Sequence, residues 1–532
     1  MNKSLPVFDS SSGGSFKNAF ILLFSLFSFF LVQSQHKYYF RPGTTTGDGS
    51  ERRPFNTLNE LSRLSLKPGD TVFFYGRDTI AGNISLENIH GTKKNNIVFT
   101  SYGKTRSTID GRNTQALIFT GSDYFQVVNI GFLGSGRKSG NTTDGVKLMK
   151  CRNVKIKNVE VAGFQKAGLI LFNSETIEVN KVYAHDNGLA GILVEGDYKK
   201  RMSANIKIVN CRADNNPGDP TNLDNHSGNG ILVGNCKNVL IEYCTASNNG
   251  WDMPRIGNGP VGIWAYEADS VIIQHCIAYR NKTAKGAADG GGFDLDGGVT
   301  NSIIQFCLSY ENWGSGYGIF QYDGADRWRN NAVRYCISIN DGLVTDHACA
   351  MLMWNGSNAE ADFTRFYAYN NVFYNDKKYA FAFLDQSRHQ GFSFFNNVFV
   401  ASDTSEIFDG IDSSRNDIFM GNVWVRKSGG FQQDGFSDLQ KWSNKTGYEQ
   451  HRGKILGTSF SEQLFSVPTD LDITDPYSLR KNSTLISLCN RLLGNKGVDI
   501  SKLFSVDIGK ADFFGHPNGS TNSLTPGVCN TK

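Results

Sequence analysis

Asn205-Ile-Lys-Ile-Val-Asn-Cys211, Asn238-Val-Leu-Ile-Glu-Tyr-Cys244, Ser270-Val-Ile-Ile-Gln-His-Cys276, Asn301-Ser-Ile-Ile-Gln-Phe-Cys307 and Asn331-Ala-Val-Arg-Tyr-Cys336 are variations on one phrase. The cysteines that close it are spaced by 33, 32, 31 and 29 residues. A second phrase keeps nearly the same beat: Gly191-Ile-Leu-Val, Gly230-Ile-Leu-Val, Gly262-Ile-Trp-Ala, Gly292-Phe-Asp-Leu and Gly318-Ile-Phe-Gln. A third follows four of the cysteines as Asn248, Asn281, Asn312 and Asn340. The apolar segments are short and carry no helical period. A fixed period of roughly 30 residues means stacked supersecondary units.

The repeat extends both ways. Upstream lie Asn153-Val-Lys-Ile-Lys-Asn-Val159 and Thr176-Ile-Glu-Val179. Downstream, Asn371-Val-Phe373, Asn397-Val-Phe399 and Asn422-Val-Trp424 are spaced by 26 and 25 residues, so the coils shorten and fill with aromatic rings. Such units cannot bury their apolar sides alone and must stack. The chain lacks a leucine framework, and its strands are too short for propeller blades. The expected fold is therefore all-β, a right-handed parallel β-helix over residues 35–440, with an N-terminal cap helix, and with C-terminal coils and an irregular cap over 441–532. The cap helix is expected at Thr57–Leu66, where Leu58, Leu61 and Leu64 share a face and Thr57 with Glu60 has capping-box spacing. Repeat ends need covers because bare strand edges invite aggregation.

Stacking decides how the cysteines are read. Equivalent residues on successive coils lie about 4.8 Å apart, and an inward thiol there is a small hydrophobe. The column is expected to hold free thiols, although disulfide distances overlap that spacing. The Asn column is expected to hydrogen-bond along the stack, a structural role.

Composition removes several classes. The chain has 532 residues, 20% charged, with 57 Gly but only 12 Pro, which fits neither a disordered polyampholyte nor collagen. A net charge of +4, with no dense Lys/Arg stripe, implies no nucleic-acid partner. Lys17 precedes the apolar run Ala19–Val32, which is short for a membrane span and is followed by Ser34. Residues 1–34 are therefore expected to be a signal peptide, and the mature protein to be secreted or periplasmic, monomeric and without membrane insertion.

Several stretches carry a resemblance: Tyr38-Tyr39-Phe40 through Gly49, Pro54-Phe55-Asn56-Thr57-Leu58, Lys67-Pro68-Gly69-Asp70-Thr71-Val72, Ser101-Tyr102-Gly103 and Ile109-Asp110-Gly111. The chain resembles the secreted right-handed parallel β-helix proteins of the pectate-lyase-like superfamily. The resemblance implies a carbohydrate-active protein: a polysaccharide lyase, a glycoside hydrolase or a pectin esterase. The polygalacturonase-type Asn-Thr-Asp, Asp-Asp and Gly-His-Gly set has no counterpart here, nor has the calcium-dependent pectate lyase set.

Aligning the coils on the glycine phrase puts Ile263, Phe293, Ile319 and Met351 inside. Alternation then puts Trp264, Asp294, Phe320 and Leu352 in one outward column, and Tyr266, Asp296, Tyr322 and Trp354 in the next. Glu267 and Asp323 fall at the margin. Exposed aromatic rings on a rigid sheet suit sugar stacking, although long loops around Trp251–Pro260, Thr283–Gly291 and Gly324–Asn330 are able to cover them. Asp294 and Asp296 share one strand face with Cβ atoms roughly 6–7 Å apart, a spacing compatible with glycosidase acid/base work. Catalytic candidates are thus Asp294, Asp296, Glu267 and Asp323; the aromatic platform is Trp264, Tyr266, Phe320, Tyr322 and Trp354.

Three functions compete. The first is hydrolysis of a polysaccharide by the paired carboxylates. The second is β-elimination on a uronate polymer, which needs cations and a base; Arg255, Lys285 and His226 are the candidates, with Arg280, Lys282, Arg327, Arg329 and His347 behind them. The third is sugar binding without catalysis. No metal ligand set is assigned, although the glycine-dense stretch Gly290–Gly298, with its two carboxylates, is able to offer oxygen ligands to Ca2+.

Overall fold

The computed structural model describes residues 35–529 apart from 44, 46, 358, 385–387, 411–415, 495 and 519–524. The expected signal peptide lies outside the described residues. The fold is a right-handed parallel β-helix. One face is a twelve-stranded parallel sheet that includes Ala190–Glu195, Asn229–Gly234, Val261–Tyr266, Gly291–Leu295, Tyr317–Gln321 and Met351–Asn355 in successive coils. The strands on the other sides pair coil to coil in the same way. Ile277, Leu308, Ile337, Val372, Val398 and Val423 lie in register across successive coils.

Cys211, Cys244, Cys276, Cys307 and Cys336 are buried free thiols. The backbone N–H of Cys211 donates to the Sγ of Cys244 at 3.4 Å, and that of Cys244 to the Sγ of Cys276 at the same distance. The column then changes chemistry. The N–H of Cys336 donates to Asn371 Oδ1, and Asn371, Asn397 and Asn422 continue the line to the buried carboxyl of Glu449.

A second ladder corrects the sequence reading by one residue. Its rungs are Asn187, Asn216, Asn249, Asn281, Asn312 and finally Asp341. Asn281 and Asn312 were expected; Asn248 and Asn340 instead occupy the preceding turn position, with φ of 50° and 52°. Asparagine is among the few non-glycine residues that tolerate that region, so it recurs there as well. Asn216, Asn249, Asn281 and Asn312 lie against glycines of the second phrase: a Cβ on Gly262 would sit 2.7 Å from the amide of Asn281, and one on Gly292 3.0 Å from that of Asn312. The glycine beat and the asparagine beat are two sides of one contact.

At the N-terminal end the expected cap is a 3-10 helix, Leu58–Arg63, that buries Leu58 and Leu61. Thr57 accepts from the N–H of Asn59 and bonds the Glu60 carboxylate, instead of the i+3 amide of a capping box. At the other end the helix Leu439–Thr446, capped by Asp438, buries Trp442 against Phe408, Trp424, Phe431 and Tyr448. The rest of the C-terminal region does more than cap. It returns along the side of the solenoid, where Leu464, Phe465, Leu471, Ile473, Leu485 and Phe513 cover the outward faces of Ile277, Leu308, Ile337, Val372, Val398 and Val423. A disulfide, Cys489–Cys529, closes part of this strap. The cysteine column gave no hint of it, because these two residues lie outside the repeat.

Candidate functional site

The outward face of the twelve-stranded sheet carries the cleft. Register corrects the aromatic strip: Phe293 pairs with Tyr317 and Asp294 with Gly318, while Phe320 pairs with Trp354. The alignment slipped because Gly316-Tyr-Gly318 offers two glycines, and Gly316 is the true partner of Gly292. The consequence is local and important. With no side chain at 318, the ring of Phe320 folds back beside the carboxyl of Asp294; a Cβ there would lie 2.7 Å from that ring and 3.0 Å from that carboxyl.

Around this point is a cavity of about 800 Å³. It is lined by Trp264, Tyr266, Phe320, Tyr322 and Trp354, by Asp289, Asp294 and Asp296, and by His226 and His347. The strip is not bare. Loops cover it, and Trp264 is only 3% exposed, packed against Leu193 and Leu232 of the preceding coils. Trp354, Phe320 and Tyr322 are half-buried. The hydroxyl of Tyr266 bonds the carboxylate of Glu195, and its ring occupies the space that a side chain at Gly234 would need.

Three carboxyl groups share the cavity. Asp294 is 3% exposed and its Oδ1 has no hydrogen-bond partner. Burial, then the charges of Asp296 and Asp289, push its pKa well above the usual carboxylate range. Burial carries Asp296 up to about 7, against the opposing N–H of Gly297 that it accepts at 2.7 Å. Asp289 is pushed up to about 6 by burial and accepts from the N–H of Gly259. Sequence reasoning missed Asp289, which stands one residue before the Gly290–Gly298 run and enters the same strand; it also missed Glu195, the next residue in the Gly191-Ile-Leu-Val phrase.

The remaining candidates lie elsewhere. Glu267 is buried outside the cavity. It accepts from the N–H of Asp326 at 3.0 Å, and Lys199 lies 3.7 Å away, while its Oε2 has no partner. Burial raises its pKa. Asp323 is exposed on the neighbouring loop and does not line the cavity. Arg255 is folded onto its own loop at Asn258, and Lys285 is exposed away from the cavity. Arg280 pairs with Glu311 at 2.8 Å, beneath the C-terminal strap. None of the described residues lining the cavity is Lys or Arg. Among the described residues no group of three or more His, Cys, Asp or Glu side chains is arranged to hold a metal ion.

A stacked parallel solenoid with an acidic, aromatic-walled cleft on one sheet defines the class: a right-handed parallel β-helix protein. Within that class the chain belongs to the Pel9A-like, right-handed beta helix region family, whose model matches residues 38–347. No curated protein sequence matches the chain. Among solved structures it is similar to the native GH136 lacto-N-biosidase of Eubacterium ramulus, at 17% identity and TM-score 0.43 over 71% of this chain and 68% of that one. It is also similar to pectate lyase Pel9A, at 16% identity and TM-score 0.37 over 83% and 95%, and to a rhamnogalacturonan lyase, at 14% and 0.38 over 73% and 87%. Among the described residues no helix is long and apolar enough to cross a membrane.

Proposed function

We propose that the cleft hydrolyses a glycosidic bond in a polysaccharide or oligosaccharide that carries no obligatory uronate at the scissile position. One observation supports this reading: the cavity gathers three carboxyl groups and seven aromatic rings, and no Lys or Arg among its described lining residues. An eliminating enzyme must neutralise a uronate carboxylate and take the C5 proton. A cleft of carboxyls repels such a substrate, whereas neutral sugars stack on the rings and hydrogen-bond to the acids.

In this reading Asp294 is the general acid. Burial and the neighbouring acids raise its pKa well above the usual carboxylate range, which favours the protonated form that donates to the leaving oxygen. Asp296, nearer to neutrality, activates water or stabilises the developing positive charge. Asp289 adds negative charge that favours the protonated form of Asp294. The family's likeness to a pectate lyase favours elimination as the second reading. Incubation with a panel of neutral and uronate polysaccharides separates the two. Hydrolysis releases reducing ends without a new ultraviolet absorbance; an unsaturated, absorbing product overturns the proposal. The same reading takes the protein to be secreted. Sequencing the exported protein should then find Gln35 at or near its N-terminus.

A further inference from the structure

His226 entered the sequence reading as a candidate base, yet its surroundings assign it the opposite hydrogen-bonding role. Asn229 is fully buried and spends its whole amide. Its Oδ1 accepts from the indole N–H of Trp264 at 3.0 Å and from the backbone N–H of Val261 at 3.3 Å. Two N–H donors on one atom identify that atom as the oxygen. The Nδ2 group must therefore be the donor, and it reaches the carbonyl of Leu189 at 3.0 Å and the Nδ1 of His226 at 3.0 Å. An imidazole nitrogen that accepts carries no proton, so the ring's proton sits on Nε2.

We propose that Asn229 is a positioning residue that locks Trp264 and His226 together, so that His226 presents its Nε2–H as a donor to an accepting oxygen of the ligand. The ring lines the cavity and meets Trp264 edge to face at 4.9 Å. Its loop is held by the N–H of His226 on Asn225 Oδ1 and by the amide of Asn222 on the His226 carbonyl. Burial and the neighbouring Arg255 lower the imidazole pKa to about 4. Protonating Nδ1 would also turn an N–H toward the N–H of Asn229. The ring is thus held neutral, and its only free lone pair is already occupied. The ligand role rests on the cleft being the glycan site; the tautomer does not.

The test reads the tautomer directly, by NMR of the histidine ring nitrogens in the ligand-free protein. Proton on Nε2 and none on Nδ1 at neutral pH, persisting to about pH 5, is the expected result. A proton on Nδ1, or a ring that charges near its ordinary value, overturns the proposal whatever the activity. Asn229→Asp replaces the donor with an acceptor and should move the proton to Nδ1. As a check that does not depend on folding of that variant, His226→Leu should raise KM about tenfold with kcat nearly unchanged, the scale of one lost hydrogen bond. His226→Gln restores an N–H donor and should recover most of that loss. Equal KM values for the Gln and Leu variants, with activity present, would also overturn the ligand role. If no variant or wild type cleaves any glycan, the hydrolase reading fails while the tautomer result still decides the positioning role.

Discussion

Two pairs of acids sit in the same solenoid, three of them buried and Asp296 half-buried. Asp341 and Glu449 end the two amide ladders, and Asp294 and Asp296 line the cleft. Burial pushes Asp341 and Glu449 up to about 7, as it does Asp296. Their partners differ. Glu449 Oε1 accepts from the amide of Asn422 at 2.7 Å and from the indole of Trp424 at 2.9 Å. Asp341 accepts from Asn312 at 2.7 Å and from the hydroxyl of Ser338 at 2.6 Å. Asp294 Oδ1 accepts from nothing. A raised pKa alone does not separate a structural acid from a reactive one; the occupancy of its lone pairs does.

The largest contrast should come from removing one acid of each kind. Glu449→Leu strands the donors of Asn422 and Trp424 in a dry core, and should cost about 3 kcal/mol or more of stability without changing kcat per folded molecule. Denaturant unfolding measures it. Asp294→Asn and Asp296→Asn should each lower kcat by at least about 10²-fold, while the melting temperature holds or rises. A wild-type rate in both Asn variants would sink the assignment.

The next effect concerns pH. Between about pH 4 and pH 7 the folded chain keeps protons on Asp341, Glu449 and Asp296 that the unfolded chain has released, and the raised pKa of Asp294 acts in the same direction. Stability should therefore fall as pH rises through that window and level off above it. Melting should be higher at pH 5 than at pH 8, and Glu449→Gln should flatten the slope; a melting temperature that climbs over the same interval would contradict the raised values.

The smaller effects separate the rings. Trp264→Ala removes a buried indole that also bonds Asn229, and should cost about 3 kcal/mol of stability. Trp354→Ala should leave stability nearly intact and raise KM, by about tenfold. Calorimetry with parallel kinetics distinguishes them, and similar stability losses for the two would erase the distinction between wall and platform. Gly318→Ala sharpens the point further: it crowds Phe320 and Asp294 together, and should lower kcat with little change in unfolding free energy.

Much of this was legible because a solenoid writes its neighbours at a fixed offset. The thiol column, the shortening of the coils and the aromatic filling follow from spacing alone. The return of the C-terminal segment along the side of the solenoid was not read from the sequence, although the residues after the cysteines change from polar to apolar along the part it covers most. Arg212 follows its cysteine with a charged residue and Thr245 with a hydroxyl that bonds the strap at Thr474, whereas Ile277, Leu308 and Ile337 follow theirs with apolar ones. What spacing does not carry is register within a short strand: Gly316-Tyr-Gly318 and Asn248-Asn249 each offer two equal choices, and only the contact between glycine and amide breaks the tie. Asp289 escaped because it lies on a turn before its phrase, and Asn229 because it opens its strand one residue before the glycine that begins the phrase.

The ladder that ends on Asp341 also limits how the molecule can lengthen. Every rung donates its amide toward the next coil and accepts from the one before, so the dipoles all point the same way and the series has a direction. A coil bearing Asn and its facing Gly can be inserted between Asn216 and Asn312 without disturbing that direction, since it accepts on one side and donates on the other. No such coil can follow Asp341, which has no amide to give. Growth in this region is therefore by interpolation and not by extension, and the carboxyl acts as a terminator for a one-way copying series.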